Sequence, residues 1–254
     1  MAADSTTRFS DRVDNYIKYR PHYPEEVIIY LKENKIIDEN TITADIGSGT
    51  GISTELFLPH VKKIYAVEPN KEMREAAEKL LSHHNNFISI NSTAEKTGLE
   101  ANSIDTIIAA QAFHWFNNEE TKNEFKRILK SNGHVILMWN VRKLGGTLFL
   151  EDYETFLLKY GTDYIKVRHE NVGNEDKTKF YGSSNFITKI FSNEQVFDFD
   201  GLKGRLLSSS YIPGKEHPKY NEMLDDLKII FDKHQQSGKI VILYDTELYI
   251  GRLK

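Results

Sequence analysis

The chain reads as a doubly wound α/β protein, a largely parallel sheet with helices on both faces. Two observations predict this. Short apolar runs alternate with helical stretches through the first five strands, as in successive βαβ units. The first run then breaks, just past an acidic residue, into three glycines at alternate positions: Thr43-Ala44-Asp45-Ile46-Gly47-Ser48-Gly49-Thr50-Gly51. That pattern marks a strand, a tight turn and the first turn of a helix. Glycines there accept positive φ and, lacking Cβ, let a ligand lie against the backbone amides.

Each element has its own signal. Phe9 to Arg20, with Phe9, Tyr16 and Tyr19, predicts a short helix, and Pro24-Glu25-Glu26 opens a second that runs to about Asn34. After the glycine turn a helix is expected from Ile52 to about Leu58, then a second strand, Lys63 to Glu68, again ending in an acid. Pro69-Asn70 leads into an evident helix at Lys71 to Glu78, and Phe87 to Ile90 is a third strand. Ile104 to Ala110 is apolar throughout, as suits a parallel strand covered on both faces. A helix over Glu119 to Lys130 should stop at Asn132-Gly133, with the fifth strand at Gly133 to Asn140.

Gly145-Gly146 marks a change in character. Residues 147 to 190 are rich in aromatics and charge, with a helix expected over Leu148 to Tyr160, and read as a partial lid. Glu194 to Phe199 reads as strand six, Asp200 as the cap of a short helix to about Ser208, and His217 to Gln236 as a long helix. Lys239 to Tyr244 and Glu247 to Leu253 fit either one bent seventh strand or a hairpin. The whole is expected to form one domain, residues 1–254: cap helices over about 1–35, a cofactor-binding core over 36–143, a cap insertion over 144–193 and the C-terminal part of the sheet over 194–254.

Composition narrows the function. A chain of 254 residues can bury a substantial core without staples. It has no cysteine, which excludes disulfides, thiolate zinc sites and thiolate nucleophiles. Net charge is −4 with both signs interspersed, and no basic footprint for nucleic acid stands out. The polar amino terminus lacks the apolar core of a signal peptide and no run is long enough to span a membrane, so a cytoplasmic protein is expected. His22, His83 and His84 lack metal-ligand spacing with nearby acids, and no metal is expected.

The glycine spacing selects the cofactor class. A dinucleotide fingerprint needs G-x-G-x-x-G, but counting from Gly47 the third position is Ile52, with the glycine one residue early at Gly51. Asp45 beside the loop would repel a pyrophosphate and suits a ligand carrying an ammonium group. Glu68, at the end of the second strand, stands where a ribose diol is gripped in doubly wound folds. Met73 on the next helix offers soft apolar surface for an adenine ring. The loop Gln111-Ala112-Phe113-His114-Trp115-Phe116 follows the fourth strand and would line the ligand crevice.

The run Asp45 to Gly51 resembles motif I of class I S-adenosylmethionine (SAM) methyltransferases, and Phe9 to Asn140 is similar to the type 11 methyltransferase domain. The Ala110 to Phe116 loop and Tyr19-Arg20-Pro21-His22-Tyr23-Pro24 resemble its trans-aconitate methyltransferase-like branch. The resemblance implies a Rossmann-like sheet of seven strands, the last inserted antiparallel between the fifth and sixth. It also implies SAM as cofactor and S-adenosylhomocysteine as product. Gly47, Ser48, Gly49 and Gly51 would then hold the methionine end, Glu68 and Pro69 the ribose, and Ala94 and Glu95 the adenine edge, with Gln111, Ala112 and Trp115 beside the methyl donor.

Methyl transfer from a sulfonium asks the protein to desolvate, align and, for some acceptors, deprotonate the nucleophile. Phe113, Trp115, Phe116 and Trp139 are candidates for an aromatic wall. His114 is the candidate general base or orienting group, with a backbone or pocket-wall hydrogen bond as the alternative. Tyr16, Tyr19 and Arg20 would close over the cofactor's amino-acid end or bind an acidic acceptor; Asn140, Ser210 and Tyr211 would meet the substrate. The expected activity is transfer to a small-molecule acceptor, at a carboxylate or hydroxyl oxygen, by a monomer or homodimer. A SAM-binding sensor or partner subunit without transferase activity is the alternative, and an NAD-linked oxidoreductase fits poorly with Gly51 and Asp45.

Overall fold

The computed structural model describes residues 13–165 and 173–253. Phe9 lies outside them. The amino-terminal helix is α1 (Val13–Tyr19), and α2 (Glu26–Glu33) follows. The first half of the sheet unit then runs β1 (Ile42–Ile46), α3 (Ile52–Phe57), β2 (Lys63–Val67), α4 (Lys71–Leu81) and β3 (Phe87–Ile90). Next come β4 (Ile104–Ala110), α5 (Glu119–Ile128), β5 (Leu129–Arg142), α6 (Leu148–Tyr160) and α7 (Asn174–Tyr181). The chain closes with β6 (Ile187–Phe197), α8 (Phe199–Leu207), α9 (Tyr220–His234) and β7 (Ile240–Gly251).

These strands form one seven-stranded sheet, ordered β3-β2-β1-β4-β5-β7-β6. Pairs from β3 to β5 are parallel, and β7 is antiparallel to both neighbours. The seventh strand is therefore a single strand inserted between β5 and β6. One apolar cluster, including Ile46, Ile107, Phe113, Leu137 and Trp139, covers one face, and a second, including Leu31, Phe57, Ile108 and Met138, covers the other. Alternation along each strand sends successive residues to opposite faces. A third cluster joins α6, α8 and α9 through Phe156, Leu206 and Leu227. Among the described residues no helix is long and apolar enough to cross a membrane.

Three of the boundaries that shift do so for a local reason. The helix expected to reach Lys130 ends at Ile128, and Asn132-Gly133 lies inside β5, where the register to β4 jumps from Leu129 to His134. A Cβ at Gly133 would lie 2.6 Å from Leu129 Cδ2 and 3.1 Å from the Asp105 carbonyl, so the glycine serves a bulge rather than a helix stop. The sixth strand starts at Ile187 rather than Glu194, taking up residues expected in the cap insertion. As an edge strand its first residues are exposed on both faces, which erases the alternation that marks a half-buried strand. The cap of α8 is Asp198, whose carboxylate accepts from the Gly201 amide at 2.8 Å, not Asp200.

Candidate active site

The carboxyl ends of the parallel strands and the segment after α1 enclose a cavity of about 420 Å³. Its floor is the glycine turn. The Gly47 and Ser48 amides donate to the Val67 carbonyl at 2.9 and 3.2 Å, tying the turn to the end of β2. Gly49 adopts φ +57°, and a Cβ there would have only Met73 Sδ nearby, at 3.6 Å, so its bare face opens to the cavity. The Gly49 amide donates to Glu68 Oε2 at 2.9 Å and the Asn70 amide to Oε1 at 2.8 Å. Burial raises the Glu68 pKa, and these two amides pull the other way. Asn70 then caps α4 by accepting from the Met73 amide, which delivers Met73 to the cavity wall.

Beyond β3, Ala94 and Glu95 line the same cavity. Glu95 accepts from Asn118 Nδ2 at 3.1 Å, and Asn118 Oδ1 also caps α5 through the Thr121 amide. The turn behind Glu95 is fixed by Glu124, which accepts from the Thr97 amide and hydroxyl and from Arg127. With Arg127 as the chief cause, and despite opposing desolvation, its carboxyl falls to about 2.

After β4 the chain turns sharply at Gln111, a non-glycine residue at φ +56°. That strained conformation is held by two hydrogen bonds, Gln111 amide to the Met138 carbonyl and Nε2 to the Asn140 carbonyl. Residues Phe113–Trp115 then form one 3₁₀ turn. Gln111, Ala112, His114, Trp115 and Phe116 face the cavity, with the His114 and Trp115 rings 4.7 Å apart; Phe113 is buried in the core instead. A Cβ on Gly47 would lie 2.7 Å from that of Ala112, so the two loops pack without a side chain between them.

The far end of the cavity is polar and was largely invisible in the sequence. Tyr16, Arg20, Ser210 and Tyr211 are among the residues the sequence predicts here; Tyr23, Arg142, Tyr164, Arg205 and Tyr244 are not. Arg20 lies 4.8 Å over the Tyr16 ring and donates to the Ser208 carbonyl at 2.9 Å. Burial, then the neighbouring Arg205 guanidinium, lowers its pKa. Arg142 pairs with Glu154 and donates to Tyr164 at 2.7 Å. Tyr23 belongs to the Tyr19 to Pro24 run, whose local pattern marks it. Arg142, Tyr164, Arg205 and Tyr244 come from elements joined only by tertiary packing, and no local pattern marks them.

Of the expected site residues, Tyr16, Arg20, Gly47, Ser48, Gly49, Glu68, Pro69, Met73, Ala94, Glu95, Gln111, Ala112, His114, Trp115, Asn140, Ser210 and Tyr211 converge on this cavity. Besides Phe113, four do not line it. Asp45 is fully buried beneath the turn, where Oδ2 accepts from the Ser53 and Thr54 hydroxyls at 2.7 Å. Gly51 serves packing: a Cβ there would lie 2.6 Å from Leu81 Cδ1. The Tyr19 ring lies against Gly204 of α8, outside the cavity. Trp139 alternates to the opposite sheet face from Asn140 and packs edge-on to Phe113 and Tyr249. Asn140 does line the cavity, yet its amide is taken by the Pro21 and His22 carbonyls, Asn193 and Thr246. It holds the segment after α1 rather than reaching into the cavity.

Residues 44–137 match the family model described as "Methyltransferase domain". An uncharacterized methyltransferase of Schizosaccharomyces pombe is 30% identical over 237 residues, covering 91% of each chain. The chain is a class I SAM-dependent methyltransferase. A malonyl-[acyl-carrier protein] O-methyltransferase of Halalkalibacterium halodurans is 35% identical over 127 residues, 48% of this methyltransferase and 45% of that protein. In fold, it resembles a protein from Anaeromyxobacter dehalogenans assigned as a type II methyltransferase, with a TM-score of 0.69 and 18% identity over 92% of this chain and 98% of that one. The cavity suits SAM on its own geometry: an open glycine face, a carboxylate at the end of β2 and an apolar sulfur wall at Met73 lie on one surface.

Proposed function

We propose that this methyltransferase passes the sulfonium methyl to an oxygen of a small-molecule acceptor, a carboxylate or a hydroxyl, by in-line displacement. The observation that carries the reading is that one continuous cavity holds both the glycine turn with Glu68 and Glu95 and a polar end with Ser210 and Tyr211. SAM supplies a methyl already bonded to a good leaving group; transfer breaks the S–CH₃ bond, forms O–CH₃ and leaves S-adenosylhomocysteine. The chain's part is binding, alignment and exclusion of water. Gly47 to Gly49 hold the methionine end, Arg20 beside Tyr16 takes its carboxylate, Glu68 the ribose and Ala94 with Glu95 the adenine edge. Alignment on this scale contributes roughly 7 kcal/mol or more to the barrier. The named O-methyltransferase relative supports oxygen as the accepting atom.

His114, on the cavity wall, is the general base when the acceptor is a hydroxyl and an orienting group when it is a carboxylate, which is already ionised near neutral pH. A methyl-transfer screen over small carboxylic acids, phenols and amines, read as S-adenosylhomocysteine released, tests the function. With a hydroxyl acceptor, His114→Ala lowers kcat about 100-fold or more while SAM affinity holds. Turnover only with amines contradicts the oxygen assignment.

A further inference from the structure

Three arginines line the polar end of the cavity, and their neutralisation differs. Arg142 has a carboxylate, Glu154, in direct contact. Arg205 has none among the described residues. Its guanidinium is nearly enclosed, with the residue 8% exposed, and its partners are all hydroxyls: Nε to Tyr244 at 3.2 Å, Nη1 to Ser209 at 3.1 Å and more distantly to Ser208 at 3.5 Å. No described side chain or carbonyl takes a hydrogen bond from Nη2. A guanidinium this deep keeps its charge, and an unpaired buried charge is costly to a fold.

A second cation adds to that cost. Arg20 bonds the Ser208 carbonyl while Arg205 reaches the Ser208 hydroxyl, so one residue bridges two like charges. Arg20 Nε is buried with no hydrogen-bond partner among the described residues. Two neighbouring guanidiniums at the wall of one cavity, with no acid between them among the described residues, call for two anionic groups. The cofactor brings one, the carboxylate of its methionine end. The other must enter with the acceptor.

We propose that Arg205, its fork oriented by Tyr244 and Ser209, anchors a carboxylate of the methyl acceptor. The inference rests on the methyltransferase reading and narrows it: the acceptor is an anion, and neutral phenols, quinones and amines are poor substrates. Ser210 and Tyr211, on the cavity wall directly after α8, lie within the same chamber. Planar, paired N–H donors suit a carboxylate, and arginine offers that fork where lysine cannot.

Calorimetric titration of the full chain tests this, with and without S-adenosylhomocysteine. The probes are malonate, succinate and benzoate, the corresponding amides, and inorganic phosphate. At least one carboxylate is expected to bind about tenfold or more tightly than its amide, and R205Q to lose about tenfold or more of that affinity, the size of a charge-assisted hydrogen bond. S-adenosylhomocysteine affinity should stay within about twofold of wild type, which also reports that R205Q folds. Should R205Q fail to fold, R205K serves, keeping charge without the fork and binding the carboxylate more weakly. The anchor is overturned if no carboxylate binds wild type better than its amide, if only phosphate binds, or if R205Q or a folded R205K binds carboxylates as wild type does. Failure of S-adenosylhomocysteine to bind, read in its own arm, would count against the methyltransferase reading instead.

Discussion

Asp45 shows how a motif residue takes its place from packing. Its carboxyl is enclosed under the glycine turn, with Oδ2 bonded to Ser53 and Thr54 and Oδ1 without a hydrogen-bond partner among the described residues. Desolvation is the largest influence and raises its pKa to about 6, against the two hydroxyls that lower it. Because the folded pKa lies above the ordinary value, the native state holds the extra proton between about pH 4 and 6, and stability falls as pH rises through that window. Asp45→Asn should abolish this slope, worth up to about 3 kcal/mol, in urea melts of the cofactor-free chain at pH 4 and 7. An unchanged slope would place the titrating group elsewhere. The sequence pointed to Asp45 beside the loop but not to its depth, because depth depends on how α3 folds back over the end of β1. The same holds for Gly51, whose spacing is readable while its neighbour Leu81, at the far end of α4, is not.

At the scale of elements, legibility follows burial. Strands β1, β2 and β4 lie inside the sheet, and their apolar runs end within a residue of where the structure ends them; β3 is an edge strand but half-buried along its length, and its run Phe87 to Ile90 matches as well. The edge strand β6 and the bulged start of β5 were misjudged because exposure and register, not local pattern, define them. The loop after β3 is a comparable case: Glu95 was expected from its position, but its support by α5 was not. Asn118 joins the two, capping α5 and donating to Glu95. Asn118→Ala should cost about 1 kcal/mol of stability for the lost cap and should also weaken SAM binding, measured by thermal melting and calorimetry. Normal SAM affinity in this variant would show that Glu95 needs no such support.

Across the whole molecule, the segment after α1 is tied over the sheet's carboxyl edge by residues far apart in sequence. Asn140 and Asn193 both donate to the His22 carbonyl, and Gln195 to that of Tyr19. The Tyr19 ring packs on Gly204 so closely that a Cβ there would run into it, and this contact docks α1 on α8. Gly204→Ala should therefore shift Tyr16 and Arg20 without touching the cavity itself, costing about 1–3 kcal/mol of stability and weakening cofactor affinity. Retention of both would show that α1 docks independently of this contact. The polar chamber exists only because α1, β5, the loop after α6, α8 and β7 meet, which is why Arg142, Arg205 and Tyr244 carry no signal in the chain while the glycine turn does. Calorimetric titration of the full chain with SAM, and separately with NAD⁺, tests the central claim most directly. The account predicts micromolar SAM binding with no response to NAD⁺. No SAM binding, or binding of NAD⁺ in its place, would contradict it.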